Sequence, residues 1–289
     1  MEDHDLSIVR IDSYDAFIRY IHSNVLILNE RIDYELDLIK NSPYSKISGR
    51  CYICDKLVDF TFDYLFSWEK INNTIVPNWR ERLICPLCSL NSRMRASIHL
   101  FELLLNPKEE SIIYITEQVT PLFQYFAKKY KKVTGSEFLM ELVPLGTCYQ
   151  GIRNENIMNT TFLDMTFDYV LSFDVFEHVP DISIAFRECY RILKDGGSLF
   201  FTVPIQVNSN MSKKRAFINE KNEIDYIEPP IYHANPIDGK GSLVFLDYGW
   251  DLLSTLKDIG FEDAGAYLIW SKYFCYLGRW LFIFVGKKV

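Results

Sequence analysis

The chain has 289 residues, of which 48% are hydrophobic and 24% charged, so it can bury a sizeable core and is not globally disordered. Its net charge of −7 argues against a broad nucleic-acid-binding surface, although a local basic patch is compatible with it. The N-terminus lacks the basic start and apolar run of a signal peptide, and Lys272 and Arg279 interrupt the apolar stretch at 266–285. We therefore expect a cytoplasmic protein without a membrane span, in which cysteines stay reduced and the C-terminal stretch forms buried strands.

The first 48 residues are predicted to be helical. Apolar residues such as Ile8, Ile11 and Phe17 recur at roughly helical spacing. The cluster Asn41-Ser42-Pro43 breaks this pattern. A separate cysteine-bearing module is expected to follow over residues 49–95.

Four of the seven cysteines form two C-x-x-C pairs, Cys51-Tyr-Ile-Cys54 and Cys85-Pro-Leu-Cys88, with 30 residues between them. Each pair directs two thiolates toward one ion, and together they supply the four sulfurs of a structural zinc site. Chance pairing and a redox dithiol are the alternatives. Charge between the pairs is nearly balanced, which favours a scaffolding zinc ribbon over a nucleic-acid binder. The remaining three cysteines are expected to be buried thiols: Cys148, Cys189 and Cys275.

Residues 96–289 are predicted to form one α/β domain, because strand and helix patterns alternate along them. An amphipathic helix over 94–105 leads into it. Such alternation indicates a parallel, Rossmann-like sheet with helices on both faces. The predicted strands are 111–116, 132–137, 169–173 and 198–203, and the predicted helices are 121–130 and 181–193, the latter ended by Asp195-Gly196-Gly197.

Two consecutive segments carry a family resemblance. Phe167-Asp-Tyr-Val-Leu-Ser-Phe-Asp-Val-Phe-Glu-His-Val-Pro180 and Arg187-Glu-Cys-Tyr-Arg-Ile-Leu-Lys-Asp-Gly-Gly-Ser-Leu-Phe-Phe-Thr-Val-Pro204 resemble neighbouring motifs of class I S-adenosylmethionine-dependent methyltransferases of type 11. The resemblance implies the corresponding fold, activity and cofactor. An apolar strand also delivers Asp174 to the carboxyl edge of a parallel sheet, where ligands of open α/β folds bind.

The expected cofactor loop departs from the family's usual pattern. Ile112–Pro121 contains no glycine, whereas these enzymes usually have a glycine-rich turn after the first strand. The segment is similar to a subgroup whose loop reads A-P-E, which implies that Thr116 and Glu117 face the cofactor and that Glu117 accepts hydrogen bonds from its ammonium group. A degenerate domain that does not bind the cofactor is the alternative.

The resemblance also implies the remaining cofactor contacts. Glu137 closes the second strand, where an acidic residue holds the ribose hydroxyls. Asn156, with Glu155 beside it, matches the position near the adenine amine. Phe173 and Asp174 complete the predicted cofactor-binding set.

The segment Asp174-Val-Phe-Glu177-His178 is similar to the E-x-x-E-H of ubiquinone-biosynthesis O-methyltransferases and small-RNA 2′-O-methyltransferases. In those enzymes acidic and histidine side chains bind a divalent cation, and His233 is the candidate that would complete the site here. The resemblance therefore implies a second cation, Mg²⁺ or Mn²⁺, at Asp174, Glu177, His178 and His233. The alternative is a metal-free site in which His178 is a general base or positions the acceptor.

Residues of about 205–240 are predicted to form a lid over the acceptor. The stretch from Tyr232-His-Ala-Asn-Pro236 to Gly241-Ser-Leu-Val-Phe-Leu-Asp-Tyr-Gly-Trp250 closely resembles methyltransferases encoded among bacterial surface-glycan biosynthesis enzymes, with Ala234 in place of Gly. This implies O-methylation of a sugar or sugar-phosphate precursor of capsule or lipopolysaccharide, with a carbohydrate or nucleotide-sugar as acceptor. An RNA methyltransferase and a catalytically inactive scaffold or regulator are the alternative functions.

Overall fold

A computed structural model describes residues 5–41, 45–65, 68–139, 143–235, 237, 239 and 241–289. The chain divides into two compact units. The first comprises the described parts of residues 1–11, 15–107 and 267–283, and the second those of 12–14, 108–266 and 284–289. Among the described residues no helix is both long and apolar enough to cross a membrane.

The first third of the chain is mixed rather than helical. Its strands are β1 (Ser7–Ile11), β2 (Lys46–Cys51), β3 (Lys56–Thr61), β4 (Trp68–Ile71) and β5 (Thr74–Pro77), and its helices are α1 (Tyr14–Ser23), α2 (Val25–Asn41) and α3 (Ser92–Leu105). The helical prediction was wrong for Ser7–Ile11, where the β-branched side chains of Ile8, Val9 and Ile11 favour a strand. The expected break at 41–43 falls mostly outside the described residues.

The boundary between the units differs from the predicted one at residue 96. Helix α3 belongs to the first unit, together with residues 267–283. The reason lies in side-chain contacts: Glu35 on α2 accepts hydrogen bonds from the Trp270 indole (3.0 Å) and the Gly278 amide (2.8 Å). Asp5 likewise accepts hydrogen bonds from the Ser271 hydroxyl and the Lys272 amide, both at 2.8 Å. These contacts join residues that lie 235 to 267 positions apart in the chain, so they leave no local sequence signal.

The second unit is built on a larger sheet. Its strands are β6 (Ile112–Ile115), β7 (Lys132–Gly135), β8 (Cys148–Tyr149), β9 (Ile152–Arg153), β10 (Phe167–Phe173), β11 (Leu193–Thr202), β12 (Lys213–Lys214), β13 (Ala216–Ile218), β14 (Ile224–Tyr226), β15 (Tyr232–His233), β16 (Ser242–Leu243), β17 (Leu246–Asp247), β18 (Phe261–Trp270) and β19 (Phe282–Lys288). Its helices are α4 (Pro121–Lys129), α5 (Ile182–Ile192) and α6 (Asp251–Ile259), with a 3₁₀ turn at Phe176–His178.

Six strands of the main sheet lie wholly or partly in this unit, in the order β18-β19-β11-β10-β6-β7. Strands β7, β6, β10 and β11 are parallel, and β19 is antiparallel to β11. The predicted Rossmann-like α/β class is confirmed. The order reverses between β6 and β10, because the chain continues from β6 to one side and from β10 to the other. Right-handed crossovers then place α4 and α5 on opposite faces.

Side-chain caps explain where the helices begin. The Asn91 side chain accepts a hydrogen bond from the Met94 amide at the start of α3, and Thr120 does the same for Phe123 at α4, where Pro121 occupies the first turn. Asp181 caps α5. These boundaries follow from local sequence, which is why the three helices were predicted within a few residues.

The glycine pair after α5 has a different role from the predicted helix stop. Leu193 already pairs with Phe167, and pairing resumes at Ser198 with Tyr169, so residues 194–197 bulge out of the strand. Gly196 has φ of +79°, and a Cβ on Gly197 would lie 2.8 Å from the Lys194 carbonyl oxygen. Only glycine fits both positions without strain.

Two further predictions concern buried groups. The apolar C-terminal stretch forms β18 and β19, whose residues Ile269, Ile283 and Phe284 are fully buried. The prediction of buried thiols is confirmed for Cys189 and Cys275 but wrong for Cys148, which is exposed on the short strand β8.

Candidate functional site

The loop after β6 lies where the strand order reverses. The Thr116 amide donates to the Leu171 carbonyl (3.0 Å), and its hydroxyl donates to Ser172 on β10 (3.0 Å). Glu117 follows and is buried. Phe173, at the carboxyl end of β10, is buried against the ring of Phe200. The predicted cofactor residues of β6 and β10 therefore meet at one edge of the sheet, which is the usual ligand position in open α/β folds.

Glu137 organises the glycine-free loop. Its Oε1 accepts hydrogen bonds from the amides of Gln118 (2.7 Å) and Val119 (3.0 Å). Burial raises the pKa of this carboxyl, and the two amide bonds oppose the rise. Since both bonds use Oε1, the second carboxylate oxygen is the one that can meet a ribose hydroxyl.

Gly135 on β7 lets the backbone of the glycine-free loop pack closely against the neighbouring strand. A Cβ at this position would lie 2.8 Å from the Glu117 carbonyl oxygen and closer still to the Phe123 ring. The Gln118 side chain then ties the loop to the next segment, donating to the Gly151 carbonyl (2.8 Å) and accepting from the Arg153 amide (2.9 Å). Sequence reasoning missed Gly135 and Gln118. The signal was Val-Thr-Gly-Ser-Glu over 133–137, where the glycine precedes the acidic residue on the neighbouring strand.

The two residues predicted near the adenine differ in their surroundings. Glu155 is buried and accepts hydrogen bonds from Arg153 Nε (2.9 Å) and from the Thr161 amide (2.9 Å) and hydroxyl (2.6 Å). Asn156 uses its side-chain oxygen to accept the Met158 amide (2.9 Å), which leaves its NH₂ group to meet a ligand. Of the two, Asn156 is the better placed to contact a base.

Asp174 lies at the end of β10 in a left-handed conformation, with φ of 55°. Its amide donates to the Thr202 carbonyl (2.9 Å), and its Oδ1 accepts from the Thr202 hydroxyl (2.8 Å). A non-glycine residue held at positive φ stores strain of about 1–3 kcal/mol, and such positions concentrate at functional sites. The strained turn redirects the chain from the cofactor edge into the 3₁₀ turn at Phe176–His178.

Glu177, His178 and His233 come together, and we call these three residues the Glu–His–His cluster. Candidate ligand atoms of all three lie within 4.8 Å of one another. Glu177 Oε1 is 3.5 Å from His233 Nδ1 and 3.8 Å from His178 Nε2, and the two rings are perpendicular at 5.0 Å. The Glu177 side chain is 2% exposed. Asp174, the fourth predicted member, is not part of this group of described residues.

In the Glu–His–His cluster, the Glu177 carboxylate lies close to the lone pair of His178 Nε2. His178 Nδ1 lies 2.8 Å from the Leu243 carbonyl oxygen, an acceptor, so Nδ1 carries the proton and the Nε2 lone pair points toward Glu177. Neither Glu177 oxygen accepts a hydrogen bond from a described residue. A buried carboxylate beside an imidazole lone pair is unfavourable unless a proton or a metal ion lies between them. The arrangement therefore fits either an imidazolium or a bound cation.

The four paired cysteines of the first unit also come together. Sγ of Cys51 lies 3.8 Å from that of Cys88, and Sγ of Cys54 lies 3.9 Å from that of Cys85. Four sulfurs at tetrahedral Zn–S distances are separated by about 3.8 Å, whereas a disulfide would need about 2 Å. The hydrogen bond with Cys88 lowers the pKa of Cys51 to about 5, against the effect of burial. The donor set and spacing fit a tetrahedral metal.

Arg95 is a fully buried cation in the same unit. It donates to the carbonyls of Phe274 (2.7 Å) and Leu83 (3.1 Å), and its guanidinium lies 3.9 Å from the centre of the Phe60 ring. Within the described part of the chain no carboxylate pairs with it, and its charge contributes to the lowered pKa of Cys51. Arg95 thus offsets negative charge on Cys51, a role that its sequence position in an amphipathic helix does not reveal.

Comparison with known protein families finds a match to the part of the chain that contains this site. Residues 120–201 match the family described as a methyltransferase domain. The fold and this match support an S-adenosylmethionine-dependent methyltransferase. The matched segment runs from α4 to β11 and so contains Glu137, Asp174 and the turn that carries Glu177 and His178.

Curated relatives match only a short stretch. Over 36 residues the chain is 50% identical to the ubiquinone biosynthesis O-methyltransferases of Pseudomonas putida and Pseudomonas entomophila. The match covers 12% of this chain and 16% of the length of those enzymes.

Among solved structures, the chain is similar to an S-adenosylmethionine-dependent methyltransferase from Mesorhizobium loti, with 16% identity, 60% of this chain and 83% of that chain covered, and a TM-score of 0.39. It is also similar to the Burkholderia thailandensis 1,6-didemethyltoxoflavin-N1-methyltransferase, with 14% identity, 68% and 78% coverage, and a TM-score of 0.40.

Proposed function

We propose that the protein is an S-adenosylmethionine-dependent O-methyltransferase whose acceptor is a sugar or a sugar-phosphate precursor of a bacterial surface glycan. The observation that carries the proposal is the position of Glu177 and His178, two members of the Glu–His–His cluster, directly after β10, the strand whose carboxyl end also borders the cofactor loop. A nucleophile held at the cluster would meet a cofactor held at Glu137 on the same edge of the sheet. Bringing the two reactants into line supplies most of the rate enhancement that such a transfer needs.

S-adenosylmethionine supplies an electrophilic methyl group on a sulfonium. In our proposal Glu137 accepts the ribose hydroxyls through Oε2, while Oε1 keeps the loop amides of Gln118 and Val119 in place. The Thr116–Glu117 backbone and the Glu117 carboxylate face the methionine part of the cofactor. Asn156 faces the adenine base. Phe173 and Asp174 border the cofactor at the carboxyl end of β10. Because hydrogen bonds from Gln118 and Val119 to Glu137 already fix the loop, it would hold the bound cofactor in one orientation.

We propose that the acceptor hydroxyl is deprotonated at the Glu–His–His cluster, and two chemistries fit it. In the first, His178 Nε2 takes the proton, and the buried Glu177 carboxylate stabilises the imidazolium that forms. In the second, Glu177, His178 and His233 would hold a divalent cation, which would lower the pKa of the hydroxyl so that water can take its proton. One carboxylate with two imidazoles favours Mn²⁺ over Mg²⁺, since imidazole suits transition ions better.

Binding of the cofactor is the first test, because the alternative is a scaffold or regulator that carries the fold alone. Calorimetry should detect S-adenosylmethionine at micromolar to millimolar concentration, and no heat or thermal shift at millimolar cofactor would contradict the enzyme. A screen of nucleotide-sugars with labelled cofactor should then identify the acceptor. Turnover lost in chelator and restored by Mn²⁺ would select the metal chemistry over the base chemistry.

The acceptor class rests on the resemblance of the segment 232–250. Residues of about 205–240, which include the short strands β12 to β15, are proposed as the lid over the acceptor. An RNA acceptor is the second candidate, favoured by the four-cysteine module and opposed by the net charge of −7. Salt-dependent binding of RNA would support it, and no binding at low salt would exclude it. A cytoplasmic location is part of the proposal.

The four cysteines are proposed to hold one structural zinc ion. Four protein ligands leave no open position, so this ion would stabilise the first unit rather than act in catalysis. Elemental analysis of protein purified without chelator should find about one zinc per chain. Its absence would contradict the zinc ribbon without touching the methyltransferase proposal.

A further inference from the structure

The segment after β17 contributes a buried tyrosine beside the Glu–His–His cluster. Tyr248 is 1% exposed, and among the residues that the structure describes none forms a hydrogen bond with its hydroxyl. A buried hydroxyl without a partner costs about 1–3 kcal/mol, and such groups are rare unless a ligand or water satisfies them. The Tyr248 hydroxyl is therefore available to donate a hydrogen bond to a ligand or to a water molecule.

Backbone contacts bring Tyr248 close to Glu177. The Phe245 amide donates to the Glu177 carbonyl (2.8 Å), which attaches the strand leading to Tyr248 to the 3₁₀ turn. The Tyr248 carbonyl in turn accepts the Gln206 amide (2.7 Å), so the backbone on both sides of the side chain is fixed. Burial raises the pKa of Tyr248 well above its usual range, and the charge of Glu177 raises it further. The hydroxyl therefore stays protonated and acts as a donor.

We propose that Tyr248 binds the acceptor, its hydroxyl donating a hydrogen bond to an oxygen of the molecule that enters the Glu–His–His cluster. The inference rests on the proposed function, since it assumes an oxygen acceptor at that cluster. It also narrows the acceptor class. The Glu177 oxygens accept no hydrogen bond from a described residue, and the Tyr248 hydroxyl donates to none. A neutral pair of neighbouring hydroxyls satisfies both groups at once, with one hydroxyl donating to Glu177 and its neighbour accepting from Tyr248.

Tyr248→Phe removes the hydroxyl and keeps the ring, and Tyr114→Phe is the matched control. Tyr114 is equally buried in the same unit, but its hydroxyl lies 2.7 Å from the Ser136 hydroxyl. In urea unfolding of the ligand-free proteins, Y248F should keep or raise the wild-type midpoint, whereas Y114F should lower it. A midpoint for Y248F that falls as far as that of Y114F would show that the hydroxyl is already satisfied inside the protein, and would overturn the inference.

The second measurement uses catechol, a small neutral vicinal diol, with protein loaded with S-adenosylhomocysteine and Mn²⁺. Calorimetry should show about tenfold weaker catechol binding by Y248F than by wild type, as expected for one lost hydrogen bond. With catechol as methyl acceptor, KM should rise about as much while kcat stays within twofold. Equal catechol affinities would overturn the inference. Catechol that fails to bind wild type would reject the diol class while S-adenosylmethionine binding still supports the methyltransferase.

Discussion

The two candidate metal sites of this chain differ in how many ligands the protein supplies and in how those ligands are neutralised. The four-cysteine site has four sulfurs within 4.8 Å of one another, and Arg95 adds a buried positive charge. The Glu–His–His cluster has three ligand atoms, and its carboxylate accepts no hydrogen bond from the described residues. A closed site with a buried counter-charge stabilises a fold, whereas an open site with unsatisfied groups is prepared for a ligand.

The largest expected effect is at the closed site. Cys88→Ser should abolish stoichiometric zinc and cost the first unit about 5 kcal/mol or more, because binding of the metal is part of its folding free energy. Elemental analysis and thermal unfolding measure both effects. Cys148→Ser is the control, since this cysteine is exposed and outside the site. A C88S protein that keeps one zinc per chain and the wild-type transition would refute the tetrahedral site.

At the open site, Glu177→Gln should lower kcat by about 10²–10⁴-fold, because it removes the charge that supports either an imidazolium at His178 or a cation. The stability of ligand-free protein should stay the same or rise, since no hydrogen bond to the side chain is lost and a buried charge is removed. Steady-state kinetics and urea unfolding separate the two effects. Glu188→Gln is the matched control: its carboxylate accepts the Thr160 amide (2.7 Å), so it should lose stability and keep kcat. Full activity of E177Q would remove the cluster from the mechanism.

Glu35 is a third buried carboxylate, and it tests whether hydrogen bonds alone offset the free-energy cost of burying a charge. Burial raises the pKa of Glu35 to about 7, although Trp270 and Gly278 donate to it. The folded state then binds more protons than the unfolded state between pH 4.5 and 7, so this group makes stability fall as pH rises through that window. In Glu35→Gln, the free energy of unfolding should fall by about 3 kcal/mol less than in wild type over this pH window. The measurement is urea unfolding of both proteins from pH 4 to 8, and a difference between them that is independent of pH would contradict the raised pKa.

The smallest expected effect concerns the cofactor loop. In Glu137→Gln an amide oxygen still accepts the Gln118 and Val119 amides, but the negative charge facing the ribose is lost. S-adenosylmethionine should bind about tenfold more weakly, and the melting temperature without cofactor should change little. Calorimetry measures the first effect. Glu110→Gln, a surface change in the same unit, should leave affinity unaltered, and an E137Q protein with wild-type affinity would exclude Glu137 as the ribose ligand.

Features that depend on residues close together in the sequence were predictable from it. Paired cysteines at fixed spacing indicated a metal site, and the strand before Asp174 with the helix that follows indicated the α/β class. Caps at Thr120 and Asp181 explain why those helix boundaries were predictable.

Features that depend on distant residues were not predictable. Gly135 makes room for a loop about 20 residues earlier, and its role is visible only when β6 and β7 lie side by side. His233 was proposed as a partner of His178 by resemblance, but the exclusion of Asp174 from that group needed the left-handed turn at the end of β10. The return of residues 267–283 to the first unit was missed for the same reason.

That return has a consequence for biosynthesis. The cysteine pairs leave the ribosome well before the carbonyls of Phe274 and Cys275 that hold Arg95. At translation rates of about 5–20 residues per second, the first unit waits roughly 10–40 s for its last segment. During this interval a metal ion bound by the four thiolates would be the first tertiary constraint on the nascent chain. In a cell short of zinc, the incomplete first unit would be open to proteolysis.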